Sequence, residues 1–159
     1  MWEYIIIGSI LIVAIGTVVY FTMNSNKNLK QQGMLDWKLI SASCRWDKTE
    51  VKKLLEEWAH IDSKDKFWRT ALMWATGQYD KHTVEILLKY WANPDIPERD
   101  WMTPLIQATI NGDEKTVKIL LEYWANPNIP GQYWFTALMF ADNAGNNEMA
   151  KLLSEYWAQ

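Results

Sequence analysis

The sequence predicts an all-α solenoid of stacked helix-turn-helix units with finger loops, preceded by one N-terminal transmembrane helix. Two rows of tryptophan residues repeat with a spacing of 33 residues: Trp58, Trp91, Trp124 and Trp157, and Trp68, Trp101 and Trp134. A fixed spacing of this length indicates a chain built from stacked copies of one helix pair. The transmembrane helix is predicted from residues 4–23, which contain no charged side chain and are long enough to cross a bilayer.

The apolar segment is the first element along the chain. Residues 1–23 form the predicted membrane anchor, which contacts the lipid bilayer through residues 4–23. A cleavable signal peptide fits less well, because Glu3 is the one charged residue before the segment and no small-x-small cleavage site follows Tyr20-Phe21. Export through a signal sequence, which would make the repeats secreted or periplasmic, stays as the alternative.

The residues that follow the apolar segment indicate its orientation. Lys27, Lys30 and Lys38 come after it, and no lysine or arginine precedes it. The positive-inside rule therefore places the N-terminus outside and the repeats in the cytoplasm. Residues 24–33 are polar and predict a short flexible tether between the anchor and the repeats.

Residues 34–159 contain four copies of one unit, with approximate bounds at 34–63, 64–96, 97–129 and 130–159. In three copies the first helix starts with a related motif, at Thr70–Ala75, Thr103–Ala108 and Thr136–Ala141. An apolar run follows each motif, at Val84–Leu88, Val117–Leu121 and Met149–Leu153, and a degenerate first copy runs from Leu39 through Ala42 to Leu55. The motifs resemble the T-P-L-H-x-A signature of ankyrin repeats, so the sequence is similar to the ankyrin repeat family over residues 34–159.

Helix chemistry agrees with this resemblance. A threonine hydroxyl can cap each first helix, at Thr70, Thr103 and Thr136. Pro104 occupies a first-turn position that needs no N–H. Asn93-Pro94 and Asn126-Pro127 are expected to end the second helices, in which Val, Ile and Leu recur at i, i+3 and i+4. One helix pair cannot bury its own apolar face, so stability is expected from stacking between neighbours.

The resemblance implies glycine at positions where this chain has tryptophan. We call the eight residues concerned the glycine-slot tryptophans: Trp58, Trp91, Trp124 and Trp157 after the second helix, Trp68, Trp101 and Trp134 two residues before the capping threonine, and Trp46 between the helices. At the last position the later copies carry Tyr79, Gly112 and Gly145. Helix ends and tight turns favour positive φ, which glycine adopts freely and which costs a residue with a Cβ about 1–2 kcal/mol.

Two interpretations of the glycine-slot tryptophans are open. In the first, the residues are genuine and their rings stack as an aromatic ladder along one edge, each pair contributing about 0.5–1.5 kcal/mol. In the second, which we favour, the native protein has glycine there. The UGA codon is read as tryptophan in some variant genetic codes and as glycine in others. A glycine-reading gene translated under the tryptophan code would therefore give this pattern.

The sequence predicts no catalytic activity, cofactor, metal ion or small-molecule substrate. It contains no phosphate-binding glycine loop and no H-E-x-x-H motif. Cys44 is the one cysteine, so it cannot form a disulfide within the chain and does not complete a zinc site. His60 and His82 are interpreted as exposed or hydrogen-bonding side chains. The acidic residues of the finger loops are expected to support turns and helix starts, at Asp62, Asp65, Asp95 and Asp100.

The charge balance argues against nucleic acid as a partner. The chain has 16 lysines and arginines against 19 acids, a net charge of −3. A nucleic-acid-binding domain normally carries an excess of positive charge. The predicted partner is instead another protein, since ankyrin repeats resembling these bind proteins on a concave side made of finger tips and first-helix residues.

The sequence therefore predicts a membrane-anchored scaffold that binds another protein and catalyses no reaction. The residues at the concave positions are Lys66, Phe67, Arg69, Arg99, Asp100, Met102, Ile110, Asn111, Gln132, Tyr133, Phe135 and Asn143. Replacing Arg69, Met102 and Phe135 together with alanine is expected to abolish partner capture and to leave thermal unfolding little changed. The alternative is a structural membrane oligomer, although Gly8 and Gly16 do not have the spacing of a small-xxx-small helix contact.

Overall fold

The computed structural model describes residues 28–157, and within that range the regular secondary structure is helical, with no β-strand. The helices form four successive pairs: α1 over residues 28–44, α2 Lys48–Glu56, α3 Ala71–Gly77, α4 Lys81–Lys89, α5 Pro104–Ile110, α6 Glu114–Glu122, α7 Ala137–Asn143 and α8 Asn147–Trp157. A short 3₁₀ helix, Gln132–Trp134, precedes α7. The all-helical repeat architecture predicted from the sequence is confirmed.

The structure describes part of the predicted tether and none of the predicted membrane span. Residues 4–23, the predicted membrane span, lie outside the described residues, and none of the helices described is long and apolar enough to cross a membrane. The predicted tether needs a correction, because residues 28–33 are helical as the start of α1. Leucine, lysine and glutamine, which fill most of these positions, favour helix. Contacts divide the chain after Met34, beside the predicted start of the repeats.

The first helices begin as the sequence predicts. The side chains of Thr70, Thr103 and Thr136 accept hydrogen bonds from the backbone N–H groups three residues later, at Met73, Ile106 and Met139. These bonds satisfy N–H groups that have no partner within the helix. Pro104 stands at the first position of α5, where its missing N–H is no loss.

A second row of caps starts the second helices, and the sequence analysis missed it. Asp47, Asp80, Asp113 and Asn146 are spaced by 33 residues, and each accepts the backbone N–H three residues later. This row corrects the alignment of the last copy. The cap at Asn146 pairs Met149 with Thr116 and Ala150 with Val117, so the apolar run is displaced by one residue from the predicted alignment.

The second helices end earlier than predicted. Helices α4 and α6 end at Lys89 and Glu122, so Asn93 and Asn126 do not stop them. The chain leaves each helix through a residue with positive φ, at Trp91 and Trp124. Asn93 and Asn126 instead form the turns that follow, where each side chain accepts the backbone N–H two residues later, at 2.9 and 3.0 Å.

The core repeats with the same period as the caps. Fully buried leucines lie at Leu39, Leu72 and Leu105 in the first helices and at Leu54, Leu87, Leu120 and Leu153 in the second helices. Alanines are buried at Ala42, Ala75, Ala108 and Ala141, as the sequence predicts. First helices pack on first helices (α3 on α5, α5 on α7) and second helices on second helices (α2 on α4, α4 on α6, α6 on α8). Burial therefore comes from neighbouring units, which is the energetic basis of a solenoid.

The capping bond of α3 gives a first testable prediction. We expect Thr70→Ala to lower the free energy of unfolding by about 1 kcal/mol, because the Met73 N–H loses its acceptor. Thermal unfolding followed by circular dichroism measures the effect. Thr49→Ala, at an exposed threonine within α2, is the matched control and is expected to change stability little. An equal loss in both variants would contradict the capping role.

Candidate protein-binding surface

The finger loops are short turns that are closed by the same backbone hydrogen bond. In each loop a backbone N–H donates to the carbonyl four residues later: Asp65 to Arg69 at 3.0 Å, Glu98 to Met102 at 3.0 Å and Gly131 to Phe135 at 2.9 Å. In the second copy the Asp65 carboxylate also accepts the N–H groups of Phe67 and Arg69, at 2.7 and 3.0 Å. The loops are thus held by internal hydrogen bonds and present their tips as a fixed surface.

The finger loops 64–69, 97–102 and 130–135 are named the second, third and fourth fingers after their repeats. We call the surface formed by these loops and the exposed side of α3, α5 and α7 the finger face. Most predicted binding residues are exposed on it: Lys66, Phe67, Arg99, Asp100, Ile110, Gln132, Tyr133, Phe135 and Asn143. Arg69, Met102 and Asn111 are half-buried. Met102 packs against the core, and the Asn111 side chain accepts a hydrogen bond from the Gln107 amide at 2.9 Å.

Neighbouring fingers are joined by direct contacts. The Arg99 backbone N–H and its guanidinium Nη2 donate to the carbonyls of Phe67 and Lys66, at 3.2 and 3.1 Å. In the fourth copy the Phe135 ring meets the Phe140 ring edge-on, with centroids 5.6 Å apart. The structure therefore brings Lys66, Phe67 and Arg99, three of the predicted binding residues, together.

Arg69 has a structural role that the sequence analysis did not foresee. Its Nε donates to the Glu98 carboxylate, which is only 6% exposed. The guanidinium also lies 5.1 Å from the centroid of the Trp74 ring and 5.8 Å from that of Phe67. This contact argues against the expectation that alanine at Arg69, Met102 and Phe135 together leaves thermal unfolding little changed, because the change at Arg69 leaves a buried carboxylate without its counter-charge.

A row of carboxylates ties each repeat to the next at the base of the fingers. The Asp62 side chain accepts the Asn93 N–H at 3.0 Å, and the Asp95 side chain accepts the Asn126 N–H at 2.8 Å. In the first copy Asp36 accepts both the N–H and the ring nitrogen of His60, at 2.7 and 3.1 Å. The bonds of Asp62 and Asp95 cross between units, so they support stacking, whereas the Asp36 bonds lie within the first unit. They also give His60 a hydrogen-bonding role.

Asp62 gives a prediction about pH. Burial raises the pKa of its carboxyl above 3.8, against the opposing effects of the Asn93 N–H and of Lys64. The folded state then binds this proton more readily than the unfolded state, so the contribution of Asp62 to stability falls as pH rises from 3.8 through the raised value. Asp62→Asn keeps a side-chain oxygen for the Asn93 N–H and removes the partly buried charge. We expect it to be more stable than the parent at neutral pH, with the difference shrinking towards pH 3.8 in thermal unfolding. A difference that is constant with pH would contradict this.

A small cavity of 190 Å³ opens on the finger face between α3 and α5. Its walls are Arg69, Met73, Trp74, Gly77, Gln78 and Gln107. The arginine and the two glutamines place side-chain N–H donors beside an indole ring, a combination that suits a polar or anionic group with an apolar stem. A larger groove of 510 Å³ lies at the finger tips. The glycine-slot residues Trp101 and Trp134 form part of its wall, so the shape of this groove depends on which residue occupies those positions.

The backbone at the glycine-slot tryptophans adopts the left-handed conformation. Seven of the eight have φ between 62° and 71°: Trp46, Trp58, Trp68, Trp91, Trp101, Trp124 and Trp134. Gly112 and Gly145, which share the row of Trp46, have φ of 68° and 66°. The expectation of positive φ is confirmed at these seven positions, whereas Trp157 is the last residue of α8. Tyr79, in the same row, has φ of 60°, so this row also holds one aromatic residue other than tryptophan.

The aromatic-ladder interpretation does not agree with the exposure of the rings. Trp91 and Trp124 are each 89% exposed and Trp58 is 84% exposed. A ring stacked face to face on a neighbour loses much of its accessible area. At Trp91 and Trp124 the side chains therefore contribute little packing to compensate for the left-handed backbone.

The comparison with known families agrees with the geometry. The family described as Ankyrin repeats (3 copies) matches residues 39–131, from within α1 to the fourth finger. No curated protein matches the chain. The matched segment covers more than half of the 159 residues, and the chain belongs to the ankyrin repeat family.

Proposed function

We propose that the protein is a membrane-anchored scaffold of four ankyrin repeats that binds another protein on a concave finger face and catalyses no reaction. The observation that carries the proposal is the finger face itself. It exposes Phe67, Ile110, Tyr133 and Phe135 beside Lys66 and Arg99. Aromatic and arginine side chains are the commonest anchors of protein interfaces.

The rigidity of the fingers supports the same proposal. Each loop is closed by its own backbone hydrogen bonds, and Arg99 joins the second finger to the third. A surface that is ordered before binding loses little conformational freedom when a partner docks, which favours affinity. The mechanism proposed is docking onto a fixed surface.

The test uses residues of the finger face whose side chains are exposed. Lys66→Ala, Ile110→Ala and Tyr133→Ala together remove exposed side chains from three finger-face positions. We expect this variant to lose partner proteins in quantitative affinity capture from membranes of the native source, with its unfolding temperature unchanged. The matched control changes exposed second-helix residues: Lys52→Ala, Lys89→Ala and Lys115→Ala. Equal capture by both variants would place the interface elsewhere.

The proposed anchor confines the repeats to a membrane surface. Tethering raises the effective concentration of a membrane-bound partner within reach of the chain. We expect the full chain to stay with the membrane pellet after alkaline carbonate extraction, and a variant lacking residues 4–23 to move to the supernatant. N-terminal sequencing of the mature protein checks the alternative, because cleavage after the apolar segment would make the repeats an exported domain.

We also propose that the glycine-slot tryptophans are glycine in the native protein. The left-handed φ at seven of them and the presence of Gly112 and Gly145 in the row of Trp46 support this assignment. So does the high exposure of Trp91 and Trp124, since rings that are 89% exposed offer little packing energy in return. The binding residues of the finger face do not include any of these positions.

A further inference from the structure

The finger face has an uneven distribution of charge. Its second and third fingers carry four cations, at Lys64, Lys66, Arg69 and Arg99, and three acids, at Asp65, Glu98 and Asp100. The fourth finger, residues 130–135, has no charged side chain. The face therefore has a charged half and an apolar half, arranged in order along the repeats.

Two of the three acids are already used within the protein. The Asp65 carboxylate accepts hydrogen bonds from Phe67, Arg69 and the indole Nε1 of Trp74, the last at 2.9 Å. Glu98 is buried against Arg69. Asp100 is thus the one exposed acid of these loops, beside the exposed Lys64, Lys66 and Arg99. Lys64 also acts on the carboxylate of Asp62, whereas Lys66 contacts the Phe67 ring and Arg99 a backbone carbonyl, so the charges of Lys66 and Arg99 are the ones not offset by a carboxylate among the described contacts. The charged half is positive, although the whole chain is negative.

The cavity beside Arg69 lies next to these cations. Arginine has five N–H donors, and the contact with Glu98 uses the one on Nε. Gln107 donates one amide hydrogen to Asn111 and retains another. Gln78 adds a further side-chain amide to the wall. The cavity of 190 Å³ is therefore lined by residues that together carry several side-chain N–H donors, with the Trp74 ring, which the Arg69 guanidinium contacts, also in its wall.

We infer that the partner presents an acidic segment followed by apolar side chains, with its carboxylates over the second and third fingers and one of them in the cavity beside Arg69. The apolar side chains then lie on Phe135, Tyr133 and Phe140 of the fourth repeat. This inference rests on the proposed docking function and specifies the chemistry of the partner. Opposite charges across an interface raise the association rate and exclude partners of the wrong sign.

Nucleic acid is the other polyanion that a positive face can attract, and the observations favour protein. Nucleic-acid binding draws its affinity from many phosphate contacts. Here the exposed cations are three, and the apolar fourth finger offers them no continuation. A protein segment supplies both acidic and apolar groups along one strand, as the face requires.

The test is a selection of displayed random peptides that bind the purified full-length protein. The protein is kept in solution with detergent. We expect the enriched peptides to have acidic residues on one side of apolar residues, and their affinity to fall with salt because exposed charges are screened. Lys66→Glu with Arg99→Glu is expected to weaken them about tenfold or more. The matched control, Lys52→Glu with Lys115→Glu on the second helices, makes the same change in net charge and is expected to bind as the parent does.

The outcomes separate the inference from the function on which it rests. Enrichment of basic or uncharged peptides that the finger-face triple alanine variant loses would overturn the acidic partner and leave docking intact. Failure to enrich any peptide would count against both. Binding of a single-stranded DNA oligonucleotide that competes with the peptides, and that the glutamate variant loses, would replace protein by nucleic acid. Retained salt dependence in the parent shows that charge acts even if the glutamate variant folds poorly.

Discussion

Replacing Trp58, Trp91 and Trp124 with glycine is expected to raise the free energy of unfolding by roughly 2–4 kcal/mol for the three changes together. All three residues have φ between 66° and 71°, a conformation that glycine adopts without the clash of a Cβ. Their side chains are 84–89% exposed, so the changes remove little packing. The sites lie in three different repeats, which makes their effects approximately additive. Far-UV circular dichroism in urea is the measurement, because it does not depend on tryptophan fluorescence.

Alanine at the same three positions is the decisive control. It removes the indole ring and keeps the Cβ, so the left-handed strain persists. We expect the alanine variant to stay close to the parent in stability and well below the glycine variant. If alanine and glycine stabilise equally, the benefit comes from losing exposed rings and not from the backbone, and the argument for glycine is wrong.

Arg69→Ala is expected to destabilise the protein by about 2–3 kcal/mol. The change leaves the Glu98 carboxylate buried without a counter-charge. It also removes the guanidinium from between the Phe67 and Trp74 rings. Because Arg69 joins the second repeat to the third, we expect the loss to appear as a lower midpoint of the whole unfolding transition.

Two comparisons isolate the cause of that loss. Arg99→Ala removes an exposed arginine from the neighbouring finger and is expected to cost much less. Adding Glu98→Gln to Arg69→Ala removes the buried charge and is expected to recover part of the stability. If the double variant is no more stable than Arg69→Ala, the loss does not arise from the unpaired carboxylate.

The predicted binding residues of the finger face are separate from the glycine slots, although Trp68, Trp101 and Trp134 lie in the finger loops. With glycine, the tip groove loses the walls formed by Trp101 and Trp134, and three large exposed rings disappear from the helix ends. The cavity beside Arg69 has none of these residues in its wall. The positions used for docking thus stay in place with either residue, which separates the functional proposal from the glycine assignment.

Much of the fold follows from periodicity and local chemistry. The spacing of 33 residues gives the helix pairs, and Thr70, Thr103 and Thr136 mark the starts of the first helices because capping acts within a single turn. Positive φ at the tryptophan rows could be inferred for the same reason, since a helix end imposes its own backbone requirement. These features depend on neighbours in sequence, so they can be read without coordinates.

The features that the sequence analysis missed involve contacts between repeats or small shifts of register. Asp47, Asp80 and Asp113 repeat visibly, and their spacing from the second helices was sufficient to identify them as caps. The bonds from Asp62 to Asn93 and from Arg69 to Glu98 are different, because they join residues about 30 positions apart. Which side chains meet there depends on how the fingers stack. The sequence therefore places Arg69 in a binding surface, whereas the structure shows that its side chain joins two fingers through Glu98.

The most direct test of the proposal that the glycine-slot positions are glycine is the mass of the protein isolated from its native source. We expect an intact mass lower than that calculated with all 11 tryptophans. The difference should equal that between eight tryptophan and eight glycine residues. Peptides covering residues 90–92 and 123–125 are expected to read glycine between tyrosine and alanine. An intact mass that contains all 11 tryptophans would contradict the assignment, and would mean that the native stack holds bulky residues at its left-handed turns.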